Sequence, residues 1–344
     1  MTDDPETVQM THGSGGRLGR ELVESVFGSA LANNILNRLD DAACLEVQGR
    51  LAFTIDGHVV SPLFFPGGDI GRLSVTGTVN DLAVMGATPL YIALGVVIEE
   101  GFPLQTLKLI TESMRKAAGE AGVEVVTGDT KVVERGAADG VFITTSGIGL
   151  IPEGVSPSGS GARPGDAVVF SGTLGDHGAA ILSRRQGLEF DSKLKSDCAP
   201  LNSLVREMLA ASACVHAIRD PTRGGLAAAL NEIAAASEVA IEIEEETLPV
   251  KPSVRAACEL FGLDPLLLAN EGKLVAFIPE EDAGSVLAAM RSHPLGAEAA
   301  IIGRVVDPAA GAGLSGPFRV FARTVLGGMR IIRMPAGEQL PRIC

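Results

Sequence analysis

Pro152-Glu153-Gly154-Val155-Ser156-Pro157-Ser158-Gly159-Ser160-Gly161, then Arg163-Pro164-Gly165-Asp166 and the apolar run Ala167-Val168-Val169-Phe170, divides this chain. The first ten residues are rich in Gly, Ser and Pro, can bury little, and read as a linker or long loop. The Arg-Pro-Gly-Asp turn delivers the chain into a new first strand. A break near the middle of 344 residues fits a prior of about 150 residues per domain. Upstream, Leu51–Ile55, Tyr91–Ile98, Val123–Val126 and Val141–Thr145 read as strands, with helical spacing over Gly71–Met85 and Leu104–Ala121. Downstream, helices are expected at Gly178–Arg185, Asn202–Ala213, Gly224–Ser237, Val254–Phe261 and Glu281–Arg291. The expectation is an α/β (α+β) protein with domains over 1–155 and 162–334, followed by a flexible tail, 335–344.

Composition excludes several classes. Hydrophobic residues are 46% of the chain but fall in short runs, and none approaches the roughly 20 apolar residues of a membrane span. The acidic start Met1-Thr2-Asp3-Asp4-Pro5-Glu6 lacks the pattern of a signal peptide, so a cytoplasmic protein is expected. Cys44, Cys198, Cys214, Cys258 and Cys344 have no C-x-x-C spacing and no partner His cluster, which argues for reduced thiols. A net charge of −14, no Trp and one Tyr provide neither the basic footprint nor the stacking platform of a nucleic-acid binder.

Carboxylates at expected strand ends form the main constellation. Asp56 follows the strand ending at Ile55, Asp129 follows the strand ending at Val126, and Asp40-Asp41 precede an expected apolar strand. Asp81 lies inside an apolar helical segment, where an unpaired carboxylate is costly, so it needs a cation or hydrogen-bond donors. Hard oxygen ligands of this sort suit magnesium held together with nucleotide phosphates. Aspartates are also common in turns and at helix N-caps, which leaves the second meaning open for each position. Glycine-rich turns form another constellation. Gly13-Ser14-Gly15-Gly16, Gly172–Gly178 and Asp220-Pro221-Thr222-Arg223-Gly224-Gly225 each offer backbone N–H groups to a phosphate, although none matches a P-loop or dinucleotide fingerprint. No two of the five histidines have metal-ligand spacing, and satisfied or surface roles fit each. The sequence ends Pro341-Arg342-Ile343-Cys344; Arg342 favours the thiolate and the carboxylate opposes it, so the terminus alone decides nothing.

Taken together, Gly13–Gly16, Val59–Gly68, Asn80–Ala87, Thr127–Val133, Ser171–Gly178, Asp220–Gly225, Ala269–Lys273 and the Pro-Arg-Ile-Cys terminus resemble the HypE family of hydrogenase maturation proteins. HypE lies within the aminoimidazole ribonucleotide synthetase superfamily, and the resemblance runs over essentially the whole chain. It implies two α/β domains and an ATP site at a homodimer interface. A carbamoyltransferase, HypF, would load a carbamoyl group on Cys344, and ATP-dependent dehydration would then leave a thiocyanate. The cyano group would pass to iron on a HypC–HypD complex, for the active site of nickel-iron hydrogenase. By matching motif positions, the resemblance assigns Asp41, Asp56, Asp81 and Asp129 to magnesium, and Gly13, Gly15, Gly16, Asn80, Thr130, Gly224 and Gly225 to the nucleotide. It assigns Lys131 to charge stabilisation and Glu271 to proton abstraction, with a simple ion pair as the alternative for both. The ten residues from Pro335 to Cys344 could reach on the order of 35 Å, enough to serve two sites. Two competing readings are a small-molecule kinase of the same superfamily and a non-enzymatic carrier. Thiamine monophosphate kinase is the nearer kinase, since no cysteine precedes Cys44 to match the one near the N-terminus of selenophosphate synthetase.

Overall fold

The computed structural model describes residues 7–13, 16–40, 42–187, 194–308, 319–337 and 340–344. An N-terminal helical segment, α1 (Met10–Gly13) and then α2 (Gly16–Leu22) running through a π-helical stretch, Val23–Gly28, into α3 (Ser29–Leu31), precedes strand β1 (Arg50–His58). There follow the two-residue strands β2 (Phe64–Phe65) and β3 (Gly68–Asp69), then α4 (Ile70–Val84), β4 (Thr88–Glu99), α5 (Leu104–Ala121), β5 (Glu124–Val133) and β6 (Val141–Ile151). The second domain comprises β7 (Asp166–Phe170), α6 (Asp176–Gln186), α7 (Asn202–Ala211), β8 (Ala217–Arg219), α8 (Gly225–Ala236) and β9 (Ala240–Glu244). It continues with α9 (Pro252–Phe261), β10 (Val275–Pro279), α10 (Glu280–Ser292), β11 (Ala300–Val306), β12 (Val320–Arg323) and β13 (Met329–Ile331).

The first sheet has the order β1-β6-β4-β5, antiparallel except for the β4–β5 pair that α5 connects. The second runs β13-β12-β9-β11-β7-β10-β8; two hydrophobic clusters bury both faces of β7, β10 and β8, while one face of β9, β11 and β12 carries the ion pairs of Arg304 and Arg323 with Glu242 and Glu244. Two of its strands, β7 and β10, are apolar almost throughout, as expected for strands covered on both sides.

Helix α4 ties the two domains together. Its N-cap Asp69 accepts from the N–H groups of Gly71 and Arg72 at 2.8 and 3.1 Å, meeting two of the donors that every helix start leaves unpaired. It is buried nearly all round because it packs on the first sheet on one side and on α7 of the second domain on the other. A Cβ on Gly71 would stand 2.3 Å from the Ile110 carbonyl oxygen, so glycine permits the close approach of α4 to α5.

All four strands of the first sheet run longer than the sequence suggests. Asp56 lies inside β1 and Asp129 inside β5, not beyond their ends, because Gly57, Thr127 and Gly128 stay paired in the ladder. The register aligns Asp56 with Thr145, Thr145 with Leu94, and Leu94 with Gly128. Asp56 and Asp129 are therefore three strands apart, about 14 Å at the usual strand spacing. The sheet face away from α4 is open: Phe53 and Ile55 on β1 are 74% and 68% exposed.

Candidate active site

Three features carry chemistry: two cavities and the docked end of the chain. The first cavity, about 600 Å³, lies between the domains and is lined by Asp56 and Asp81 from the first and by Asp220, Arg223 and Gly225 from the second. Thr54 donates its hydroxyl hydrogen to Asp81 at 2.7 Å and Thr78 donates to Asp56 at 3.2 Å, which orients both carboxylates without neutralising them. Burial and the neighbouring Asp81 push Asp56 up to about 6, and the same two causes push Asp220 up to about 7. Gly225 begins α8 with φ +61°, and a Cβ there would meet the Leu266 and Leu268 carbonyl oxygens at 2.5 and 2.6 Å. Gly224, its neighbour, lines a small pocket with Leu340 and Ile343 of the tail.

Glu271 lies buried near this cavity, 3% exposed, and its Oε1 has no hydrogen-bond partner. Burial, then the charges of Asp197, Asp220, Asp56 and Asp81, raise its pKa well above the carboxylate range. Its backbone is held on both sides: the N–H donates to Asp197 at 3.2 Å, and the carbonyl accepts from the Asn80 side chain at 3.0 Å. Asn80 also donates to the Ala199 carbonyl at 3.1 Å and accepts from the Leu201 N–H at 2.8 Å. Asn80, which the resemblance assigned to the nucleotide, is a buried staple between α4 and the second domain, its amide hydrogen-bonded to three backbone groups.

The second cavity, about 740 Å³, opens between the N-terminal segment and β5, and Gly13, Gly16, Asp129, Thr130 and Lys131 line it. Gly13 is pressed so tightly on β5 that a Cβ would stand 2.7 Å from Val132. Lys131 and Asp129 pair at 2.8 Å, with side chains 64% and 68% exposed, and the lysine holds the Asp129 pKa below its ordinary value. The anticipated carboxylate set is thus divided within one chain: Asp56 and Asp81 share one cavity and Asp129 lines the other. Asp41 and Gly15 lie outside the described residues.

The last residues run between the domains. Val59 and Ser61 donate their N–H groups to the Cys344 and Arg342 backbone oxygens at 3.0 and 3.1 Å, in the manner of an added strand. Arg342 donates to the Val59 carbonyl at 3.0 Å and pairs with Asp139. Ile343 is 3% exposed, and Cys344 packs against the first domain's core.

Sequence reasoning missed Asp220 and Arg223 as cavity residues, though both stand in the quoted glycine-rich turn. The available signal was a carboxylate immediately after strand β8, the same placement that drew attention to Asp56. It also missed His177, whose role depends on a contact 166 residues away. Among the described residues no three acidic, His or Cys side chains form a metal-holding group by themselves. The donors present suit a cation that takes one or two carboxylates and completes its shell with phosphate and water.

Two family models match in tandem: AIR synthase related protein, N-terminal domain, over residues 39–151, and its C-terminal domain over 163–313. The two domains are therefore those of an AIR synthase-related protein. Carbamoyl dehydratase HypE of Cupriavidus necator is 55% identical, over 98% of this chain and 95% of that protein. A crystal structure of the hydrogenase maturation protein HypE in complex with ATP superposes with a TM-score of 0.95 at 50% identity, covering 98% of this chain and all of the other. HypE in a crystal structure of a HypE–HypF complex gives 0.79 at 48% identity, over 91% and 99% of the two chains. This chain belongs to the HypE family.

Proposed function

We propose that this chain is an ATP-dependent carbamoyl dehydratase of nickel-iron hydrogenase maturation whose substrate is the S-carbamoyl group on its own Cys344. The observation that carries the proposal is the docked Pro-Arg-Ile-Cys terminus, with Ile343 and Cys344 packed into the first domain's core and hydrogen-bonded across both domains. The ATP-bound HypE of the same fold supports the nucleotide, and the HypE–HypF complex supports HypF as the source of the carbamoyl group. A HypC–HypD complex in the cytoplasm would receive the cyano group.

The chemistry is a dehydration. The carbamoyl oxygen takes the terminal phosphoryl group of ATP and ADP leaves; the carbon–oxygen bond then breaks to release phosphate. The nitrogen gives up both protons as its bond to carbon becomes triple, and the sulfur–carbon bond is kept. Glu271 is assigned to a nitrogen-bound proton, since a buried carboxylate with a raised pKa is a stronger base than an exposed one. Lys131 is assigned to negative charge on the transferred phosphoryl group. Magnesium would neutralise phosphate charge, and Asp56 and Asp81, with Asp220 in the same cavity, would hold it from one chain. Gly13 and Gly16, with Thr130 and Asp129, would line the nucleotide end; Gly15 and Asp41 join these groups by their place in the motifs.

Because Asp56 and Asp129 lie three strand spacings apart, one chain cannot bring both to the same ion. A homodimer paired through the open β1 face, where Phe53 and Ile55 lie exposed, is the arrangement that would unite the two cavities from different copies. The test is mass spectrometry of the C-terminal peptide after incubation with HypF, carbamoyl phosphate and ATP. A carbamoyl and then a cyano mass on Cys344 is the expected result. A cysteine other than Cys344 carrying the adduct, or none, overturns the proposal.

A further inference from the structure

Helix α6 grips the docked tail at two points. His177, fully buried, donates to the Ile343 carbonyl at 2.8 Å, and Arg185 donates to the Arg342 carbonyl and, at 2.7 Å, to the Ser61 carbonyl. A carbonyl only accepts, so the His177 hydrogen sits on Nε2, and Nδ1 then accepts from the Ser196 hydroxyl at 2.8 Å. Phe65 stands edge-on to the imidazole, with centroids 5.3 Å apart and planes at 89°, which fixes the ring plane.

The loop at Ser196 links this tail contact to Glu271. Ser196 Oγ also accepts from the Cys198 N–H at 3.1 Å, while Asp197 between them accepts from the N–H groups of Glu271 and Gly272 at 3.2 and 3.3 Å. Arg72 and Asn80 pin the same loop to α4 through the Cys198 and Ala199 carbonyls at 2.9 and 3.1 Å. There is no slack in this contact, since a Cβ on Gly272 would lie 1.9 Å from the Asp197 carbonyl oxygen. One rigid loop therefore supports, at consecutive residues, the imidazole that holds the tail and the backbone that seats Glu271.

We infer that His177 is a positioning residue for the dehydration step, setting the register of the Cys344 thiol relative to Glu271 through the Ile343 carbonyl and the 196–198 loop. The inference rests on the dehydratase reading given above. Loading by a separate carbamoyltransferase needs the tail released, whereas dehydration needs it seated, so the His177 bond favours the second step and opposes the first. A general loss of fold would slow both.

The experiment compares wild type, His177→Leu, His177→Gln and Arg185→Gln as full-length proteins in three measurements. These are the rate of iodoacetamide alkylation at Cys344, read by peptide mass; carbamoylation by HypF; and single-turnover thiocyanate formation from the pre-carbamoylated protein with ATP. His177→Leu is expected to raise Cys344 alkylation and lower thiocyanate formation, each on the order of tenfold, as for one lost buried hydrogen bond, with carbamoylation undiminished. Glutamine keeps a donor near the Nε2 position and is expected to restore both rates most of the way. Arg185→Gln, on the half-exposed end of α6, should shift the same two rates in the same directions with no risk to the core. Unchanged alkylation and dehydration in Arg185→Gln and in a folded His177→Leu overturn the inference, as does equal loss of carbamoylation and dehydration in the arginine variant. If wild type forms no thiocyanate, the dehydratase reading fails, and the alkylation rates still decide whether His177 holds the tail.

Discussion

The two cavities use the same residue type in opposite ways. In the cavity between the domains, Asp56, Asp81 and Asp220 line the wall at half-buried positions, with Arg219 and Arg223 the cations beside them, and the carboxyl pKa values of Asp56 and Asp220 climb to about 6 and 7. In the cavity against β5, Asp129 lies in solvent with Lys131 at 2.8 Å, and its pKa falls. Solvent screens the exposed pair, so it costs the fold nothing and contributes little. The buried group is short of positive charge, and that shortage is what a bound cation would relieve. Burial, not residue identity, separates a site that needs a ligand from one that only offers groups to it.

Five substitutions sharpen or break this contrast, in falling order of effect. Cys344→Ala should leave a folded protein that never carries a carbamoyl or cyano mass; an adduct on Cys198 or Cys258 would contradict the docked-tail reading. Glu271→Gln keeps the hydrogen-bonding shape and removes the base, so thiocyanate formation should fall by ~10²- to 10⁴-fold while the carbamoylated form accumulates. Because the raised pKa means that this carboxyl must lose its proton before it can act, the wild-type rate should fall with falling pH and the variant's should not. A parallel pH dependence in both would remove Glu271 from the reaction.

Asp81→Asn and Asp220→Asn should each reduce magnesium-dependent ATP turnover by ~10²- to 10³-fold, a loss typical of preorganised charge removed from a site. Carbamoylation by HypF should persist in both. The same cluster gives a stability signature. Asp56 and Asp220 have folded-state pKa values above their unfolded ones, so the folded protein binds more protons between about pH 4 and 7. Stability is therefore full below pH 4 as far as these groups are concerned and is lost as pH rises toward 7, by on the order of 1 kcal/mol or more. Thermal melts in metal-free buffer should show this decline, magnesium should restore the loss near neutral pH, and Asp220→Asn should abolish most of both effects. A melt that ignores magnesium in wild type would remove the cation from this cavity. The smallest effect belongs to the exposed pair: Lys131→Ala should change stability by less than about 1 kcal/mol and yet slow dehydration with no rescue at high pH. A large stability loss would make Lys131 structural.

The helices from α4 onward, the strands of the first sheet and β7 were legible because their signals are local, whereas the N-terminal helices and the other strands of the second sheet were not singled out. Helix α5 spans Leu104–Ala121 as its spacing requires, with Gly122 ending it in the left-handed region, and the Pro152–Gly161 linker divides the two sheets where the composition changes. The carboxylates and glycine turns were recognisable as motifs. Their grouping was not, because Asp81 is seated by Thr54, 27 residues away, and Asp220 joins Asp56 only when the second domain closes on α4.

Sequence alone determined the two α/β units, the family and the cysteine at the chain's end, since periodicity, turn chemistry and motif identity are written in neighbouring residues. The tertiary structure decided which aspartates share a cavity, that Asn80 is a staple, and that His177 meets Ile343 across 166 residues. Such contacts depend on how two independently patterned domains pack. The energy of a buried carboxylate or a satisfied amide is set by that packing and by the water it excludes.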